Sequence, residues 1–117
     1  MWETRYGYSR AVVAGGRVYV SGTAPIMPDD ADPPPDAYGQ AQRCLEIVLA
    51  ALTEAGAAAR DVVRTRVFIT DRSFIDDVLR AHGEVFGETR PACTGIVTQL
   101  VDPRWLVEIE VEAILPP

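Results

Sequence analysis

The sequence predicts a single α+β domain over residues 1–117, ordered β-β-α-β-α-β-β, with both helices on one face of the sheet. Three observations lead there. Two segments repeat apolar residues at three- and four-residue steps, as helices with one buried stripe do. Five shorter segments alternate or run apolar between turn residues, as strands do. A chain of 117 residues is also too short to divide, because each half would lack a useful core.

The first two strands form a hairpin. Val12, Val13 and Ala14 precede Gly15-Gly16, and Arg17 to Val20 follow, with the second strand ending at Ser21-Gly22. Residues 25–36 hold Pro28, Asp29, Asp30, Asp32 and Pro33-Pro34-Pro35, which reads as a solvated surface loop. Asp36 is placed to cap a helix whose inner stripe is Tyr38, Ala41, Cys44, Leu45, Val48, Leu49 and Leu52. Gln40, Gln42, Arg43 and Glu46 are expected on its outer side, and Gly56 after its end. Cys44 falls within the stripe and reads as a packing residue.

Residues 61–70 alternate, putting Val63, Thr65, Val67 and Ile69 on one face and Val62, Arg64, Arg66 and Phe68 on the other. Ser73 and Asp76 have capping-box spacing ahead of a second helix, with Phe74, Ile75, Val78, Leu79, His82 and Phe86 inward and Gly87 at its end. His82 borders the core and reads as a packed histidine. In the next strand Thr94, Ile96, Thr98 and Leu100 oppose Cys93, Gly95, Val97 and Gln99. In the last, Trp105, Val107, Ile109, Val111 and Ala113 oppose Leu106, Glu108, Glu110, Glu112 and Ile114. If the third and last strands are neighbours, Arg64, Arg66 and the three glutamates form a cross-strand charge ladder. Phe68, Leu106 and Ile114 add apolar surface to that open face, which points to a subunit interface.

Composition narrows the function. The net charge is −6, and there is no lysine and no asparagine. Lysine Schiff-base chemistry is therefore excluded, and an acidic surface argues against nucleic acid as a partner. His82, Cys44 and Cys93 match no metal-ligand spacing, so no metal is expected. No apolar run reaches the length of a membrane span and no signal-peptide pattern opens the chain, so a cytoplasmic protein without a membrane partner is expected.

Several short stretches, in order, resemble the Rid family of reactive-intermediate deaminases, also called RidA/YjgF. They are Tyr8-Ser9-Arg10-Ala11, Val20-Ser21-Gly22, Asp61-Val62-Val63, Val67-Phe68-Ile69-Thr70-Asp71, Arg90-Pro91-Ala92, Glu108-Ile109-Glu110 and Glu112-Ala113-Ile114. The resemblance covers nearly the whole chain. It implies a chorismate-mutase-like fold and a homotrimer, with the sheets forming a central barrel and small-metabolite clefts between subunits. It also implies hydrolysis of imines or enamines such as 2-aminoacrylate to ammonia and a keto acid, without a cofactor.

In the deaminases an arginine two positions after the motif's proline clamps the substrate carboxylate. Here Pro91-Ala92 is followed by Cys93, while Gly95 and Leu79 replace a cysteine and an asparagine of the family pattern. Tyr8, Ser21, Gly22 and Glu112 match. The expected substrate-binding residues are thus Tyr8, Arg10, Ser21, Gly22, Cys93 and Thr94, with Glu112 the carboxylate that holds or activates water. A neutral Cys93 cannot clamp a carboxylate through parallel N–H donors. Arg10, two residues beyond Tyr8, and Arg90 are the alternative clamps. The expectation is a RidA-like deaminase acting on a substrate other than 2-aminoacrylate. A non-catalytic trimer binding a small metabolite is the alternative.

Overall fold

The computed structural model describes residues 2–117. The expected elements form in the expected order, preceded by one short helix that the apolar pattern does not announce. Helix α1 is Trp2–Tyr6, and the N–H groups of Gly7 and Tyr8 close it on the carbonyl of Glu3. Strands β1 (Ala11–Ala14) and β2 (Arg17–Thr23) follow. Gly15 and Gly16 turn the chain between them with φ of 58° and 75°, the paired positive values of a tight hairpin. Helix α2 is Ala37–Glu54, strand β3 Val62–Ile69, helix α3 Ile75–Phe86, strand β4 Ala92–Val97 and strand β5 Val107–Ile114.

The sheet order is β1-β2-β5-β3-β4. Only β3 and β4 are parallel, joined through α3, since parallel neighbours need a crossover. The last strand in sequence is therefore central in space, between β2 and β3. Val107, Ile109, Val111 and Ala113 on β5 are at most 1% exposed, beneath Cys44, Leu45, Val48 and Leu52 of α2 and Val78, Ala81 and Phe86 of α3. Both helices lie over this one face, and the fold is the α+β class that the pattern predicts.

Five details differ from the sequence reading. Val62 pairs with Ala113 and Arg64 with Glu112, so β3 has one extra residue there and Val63 is extruded. The bulge inverts the alternation at that end: Val62 is buried and Val63 is 41% exposed. The Ser73–Asp76 box does not form. A 3-10 turn over Arg72–Phe74 comes first, capped by Asp71, whose Oδ1 accepts from the Ser73 N–H at 2.8 Å. Leu79 is 40% exposed, its place in the inner stripe taken by Ala81. Leu106 packs against the core rather than adding to the open face.

Gln40 is the most consequential difference, because it is buried instead of facing solvent. Its Nε2 donates to the carbonyls of Pro34 (3.0 Å) and Arg104 (3.1 Å), and its Oε1 accepts from the Leu106 N–H at 2.7 Å. One side chain on α2 thereby ties down two loops that lack a ladder of their own. Replacing Gln40→Leu keeps the volume and strands three backbone groups. Each costs about 1–3 kcal/mol when left unpaired, and partial rehydration of the loops lowers the sum. A urea titration should show a loss of about 2–4 kcal/mol, whereas Gln42→Leu, on the exposed side of the helix, should stay within about 0.5 kcal/mol of wild type.

Candidate functional site

A cleft of about 900 Å³ opens at one end of the sheet, where β1 enters, β2 bulges and β5 begins. Its walls come from the proline-rich loop, from residues 101–105 and from Glu3 of α1. The loops are held by Arg104. The Arg104 guanidinium donates to Asp102 Oδ2 at 2.9 Å, Asp30 Oδ1 at 3.1 Å and Asp32 Oδ1 at 3.3 Å. Hydrogen bonds from Arg104 keep the Asp102 carboxyl below the usual carboxylate range. Asp30 reaches the guanidinium from a left-handed backbone, φ 55°, which aspartate tolerates better than most residues.

Tyr8, Arg10 and Gly22 all line this cleft. The register of β2 on β5 slips between Val20 and Thr23, so Ser21-Gly22 forms a bulge at the cleft floor. Arg10 Nη2 donates to the Gly22 carbonyl at 2.7 Å. Its Nε is buried and has no hydrogen-bond partner among the described residues. Ser21 sits behind the bulge, its Oγ donating to the Ser9 carbonyl at 2.6 Å. It steadies the segment that carries Tyr8 and Arg10.

The remaining sequence-selected residues lie elsewhere in the subunit. Cys93 and Thr94 are on β4, three strands from β2, a separation of about 14 Å at ordinary strand spacing. They also point to opposite faces. Thr94 Oγ1 accepts from Arg64 Nη2 at 3.0 Å on the open face, while Cys93 is paired with Thr65, whose side chain is under the helices. Cys93 is exposed and Cys44 buried, with burial pushing the Cys44 thiol far up. Arg90 is exposed in the turn before β4 and does not line the cleft.

The charge ladder forms in part. Arg66 Nη1 contacts Glu110 Oε1 at 3.0 Å and Glu112 Oε2 at 3.4 Å, so Glu112 is held in an ion pair outside the cleft lining. Glu108, by contrast, lines the cleft. Sequence reasoning passed over Glu108 because it alternates identically with Glu110 and Glu112. The available signal was the cross-strand partner: an arginine faces Glu110 and Glu112, and Phe68 faces Glu108.

Residues 2–115 match the family model described as endoribonuclease L-PSP, the YjgF/RidA family. The chain belongs to the Rid family. An uncharacterised protein of Streptomyces coelicolor is 40% identical over 113 residues, covering 96% of this chain and 84% of that protein. TdcF of Escherichia coli, named a reactive intermediate deaminase, is 31% identical over 112 residues, covering 92% of this chain and 84% of its own. Among solved structures, a YjgF/YER057c/UK114-family protein from Mycobacterium tuberculosis superposes with a TM-score of 0.87 at 39% identity, covering 97% of this chain and 92% of that one. E. coli TdcF with bound serine superposes with a TM-score of 0.85 at 28% identity, covering 93% and 88%.

Within this Rid chain, His82 is remote from the cleft. It lies under the sheet, 8% exposed, with Nε2 at 2.8 Å from Thr65 Oγ1 and its ring 4.9 Å from that of Phe86. No described group of three or more His, Cys, Asp or Glu side chains is arranged to hold a metal, and no described helix is long and apolar enough to cross a membrane. Burial lowers the His82 pKa below its ordinary 6.5. The unfolded chain then binds a proton more readily than the folded one below that pH, so acidification destabilises the fold. Urea midpoints measured from pH 7.5 to 5 should fall more steeply for wild type than for His82→Gln, with the divergence starting near pH 6.5.

Proposed function

We propose that this protein is a homotrimeric, cofactor-independent deaminase that hydrolyses the imine or enamine of a small carboxylate-bearing metabolite other than 2-aminoacrylate, releasing ammonia. The observation that carries this reading is Arg10: a part-buried guanidinium lining the cleft, anchored through Nη2 and making no other hydrogen bond among the described residues. A guanidinium in that state favours a ligand carboxylate. It stands in for the clamp that Cys93 cannot provide, whereas Arg90 is exposed and outside the cleft lining of its own subunit. Kinship with TdcF, which has been crystallised with serine, supports a ligand of amino-acid size.

The trimer is supported by what the subunit leaves uncovered. Tyr19 and Ile114 are 40% and 45% exposed on the open face, which also carries half-buried Phe68. Edge strand β4 has Val97 54% exposed. Pairing that edge with a neighbouring subunit would bring Cys93 and Thr94 toward that neighbour's cleft.

Two measurements test the reading. Imines generated from amino acids by an amino-acid oxidase should be hydrolysed faster with the protein present, followed as ammonia release. Arg10→Ala should lower kcat/KM about 10- to 100-fold, the usual value of a hydrogen bond to a charged group, while Arg90→Ala leaves it unchanged. Stabilisation by small keto acids without turnover of any imine would instead indicate the metabolite-binding trimer. For assembly, sedimentation at micromolar concentration should give a trimer, and Ile114→Lys should dissociate it while leaving the far-ultraviolet circular dichroism of the subunit intact.

A further inference from the structure

Glu108 is the rung at which the charge ladder runs out. On one side its cross-strand neighbour is Phe68, which offers no proton and no charge. On the other side is the β2 bulge, where the missing side chain of Gly22 makes room: a Cβ there would stand 2.5 Å from Glu108 Oε2. The carboxylate is half-buried and, among the described residues, makes no hydrogen bond and no ion pair. It lines the same cleft as Arg10 without being bonded to it.

A half-buried carboxylate with no partner weakens a fold, so its position calls for a use. Glu110 and Glu112 share the Arg66 guanidinium and lie outside the cleft lining. We propose that Glu108 is the proton-transfer residue of the Arg10 cleft, touching the reacting nitrogen and the attacking water while Arg10 holds the substrate carboxylate. This rests on the deaminase reading given above.

The step balances as a hydrolysis. Glu108 takes a proton from water as the water oxygen bonds to the iminium carbon, and the C=N π pair moves onto nitrogen. Protonated Glu108 then gives that proton to the amine nitrogen. The C–N bond breaks with its pair leaving as ammonia, the hydroxyl oxygen forms the carbonyl, and its proton returns to Glu108 and then to solvent, where ammonia takes it up. Burial pushes the Glu108 carboxyl up, with Glu110 adding to the effect and Arg10 opposing it. A carboxylate with a raised pKa exchanges protons near neutral pH more readily than an ordinary one.

The test compares wild type, Glu108→Gln and Glu108→Asp, with Glu110→Gln as the control for lost charge. Glu108→Gln should lower kcat about 100-fold or more, with KM little changed, and should abolish the acid limb of the pH–rate profile. Glu108→Asp should retain that limb at reduced kcat, and Glu110→Gln should keep both kcat and the limb, with the limb moved to slightly lower pH because one neighbouring negative charge is gone. Because folding raises the Glu108 pKa, its ionised form costs stability above the ordinary carboxylate range. Glu108→Gln should therefore melt at or above the wild-type temperature at pH 8, and the difference should vanish as the pH falls through 4.5. A variant that loses activity and also melts lower at pH 8 would mark Glu108 as structural and overturn the assignment. Wild-type turnover that Glu108→Gln retains overturns this assignment alone, whereas a wild type without imine turnover overturns it together with the deaminase reading.

Discussion

The antiparallel register between β3 and β5 decides most of what this molecule presents. It sets Arg66 opposite Glu110, within reach of Glu112, and Phe68 opposite Glu108. The same register buries Val67 and Ile69 beside Val107 and Ile109 beneath the helices. Slipping by one residue would move every apolar side chain of β5 to the open face, so the core and the charge pattern are a single constraint. Ion pairs on so exposed a face contribute little stability. Their consequence is chemical: two glutamates are occupied and one is not.

The bulges adapt that register to the cleft. In β3 the extruded Val63 returns Val62 to the core. In β2 the slip at Ser21-Gly22 turns a carbonyl toward Arg10 and removes a side chain from above Glu108. Extra residues of this kind commonly re-aim groups near functional sites. Here one bulge anchors the guanidinium and makes space for the carboxylate.

The cleft walls are loops, and loops need external partners for their backbone groups. Gln40 provides these from the buried side of α2, joining the proline-rich loop to the segment before β5. Arg104 does the same from the solvent side through Asp30, Asp32 and Asp102. The cleft's shape is thus tied to the helix–sheet core by one neutral side chain and one charged one.

Local chemistry in the sequence determined the element order, the hairpin at Gly15-Gly16, the Asp36 cap, whose Oδ1 accepts from the Gly39 N–H at 2.7 Å, and the buried stripe containing Cys44. Each depends on residues within a few positions, where periodicity and turn preferences act directly. The family was legible for the same reason, as short motifs in a fixed order. Only the tertiary structure decided that Gln40 is inside, that Leu106 packs on the core, and that the strand carrying Cys93 and Thr94, whose opposite facing the alternation already gave, is remote from Arg10. It also decided that Glu108, one of three equivalent glutamates in the sequence, lines the cleft. These depend on which strand lies beside which, and on bulges that shift register by one residue. A pattern of period two does not encode a cross-strand neighbour some forty positions away in the chain.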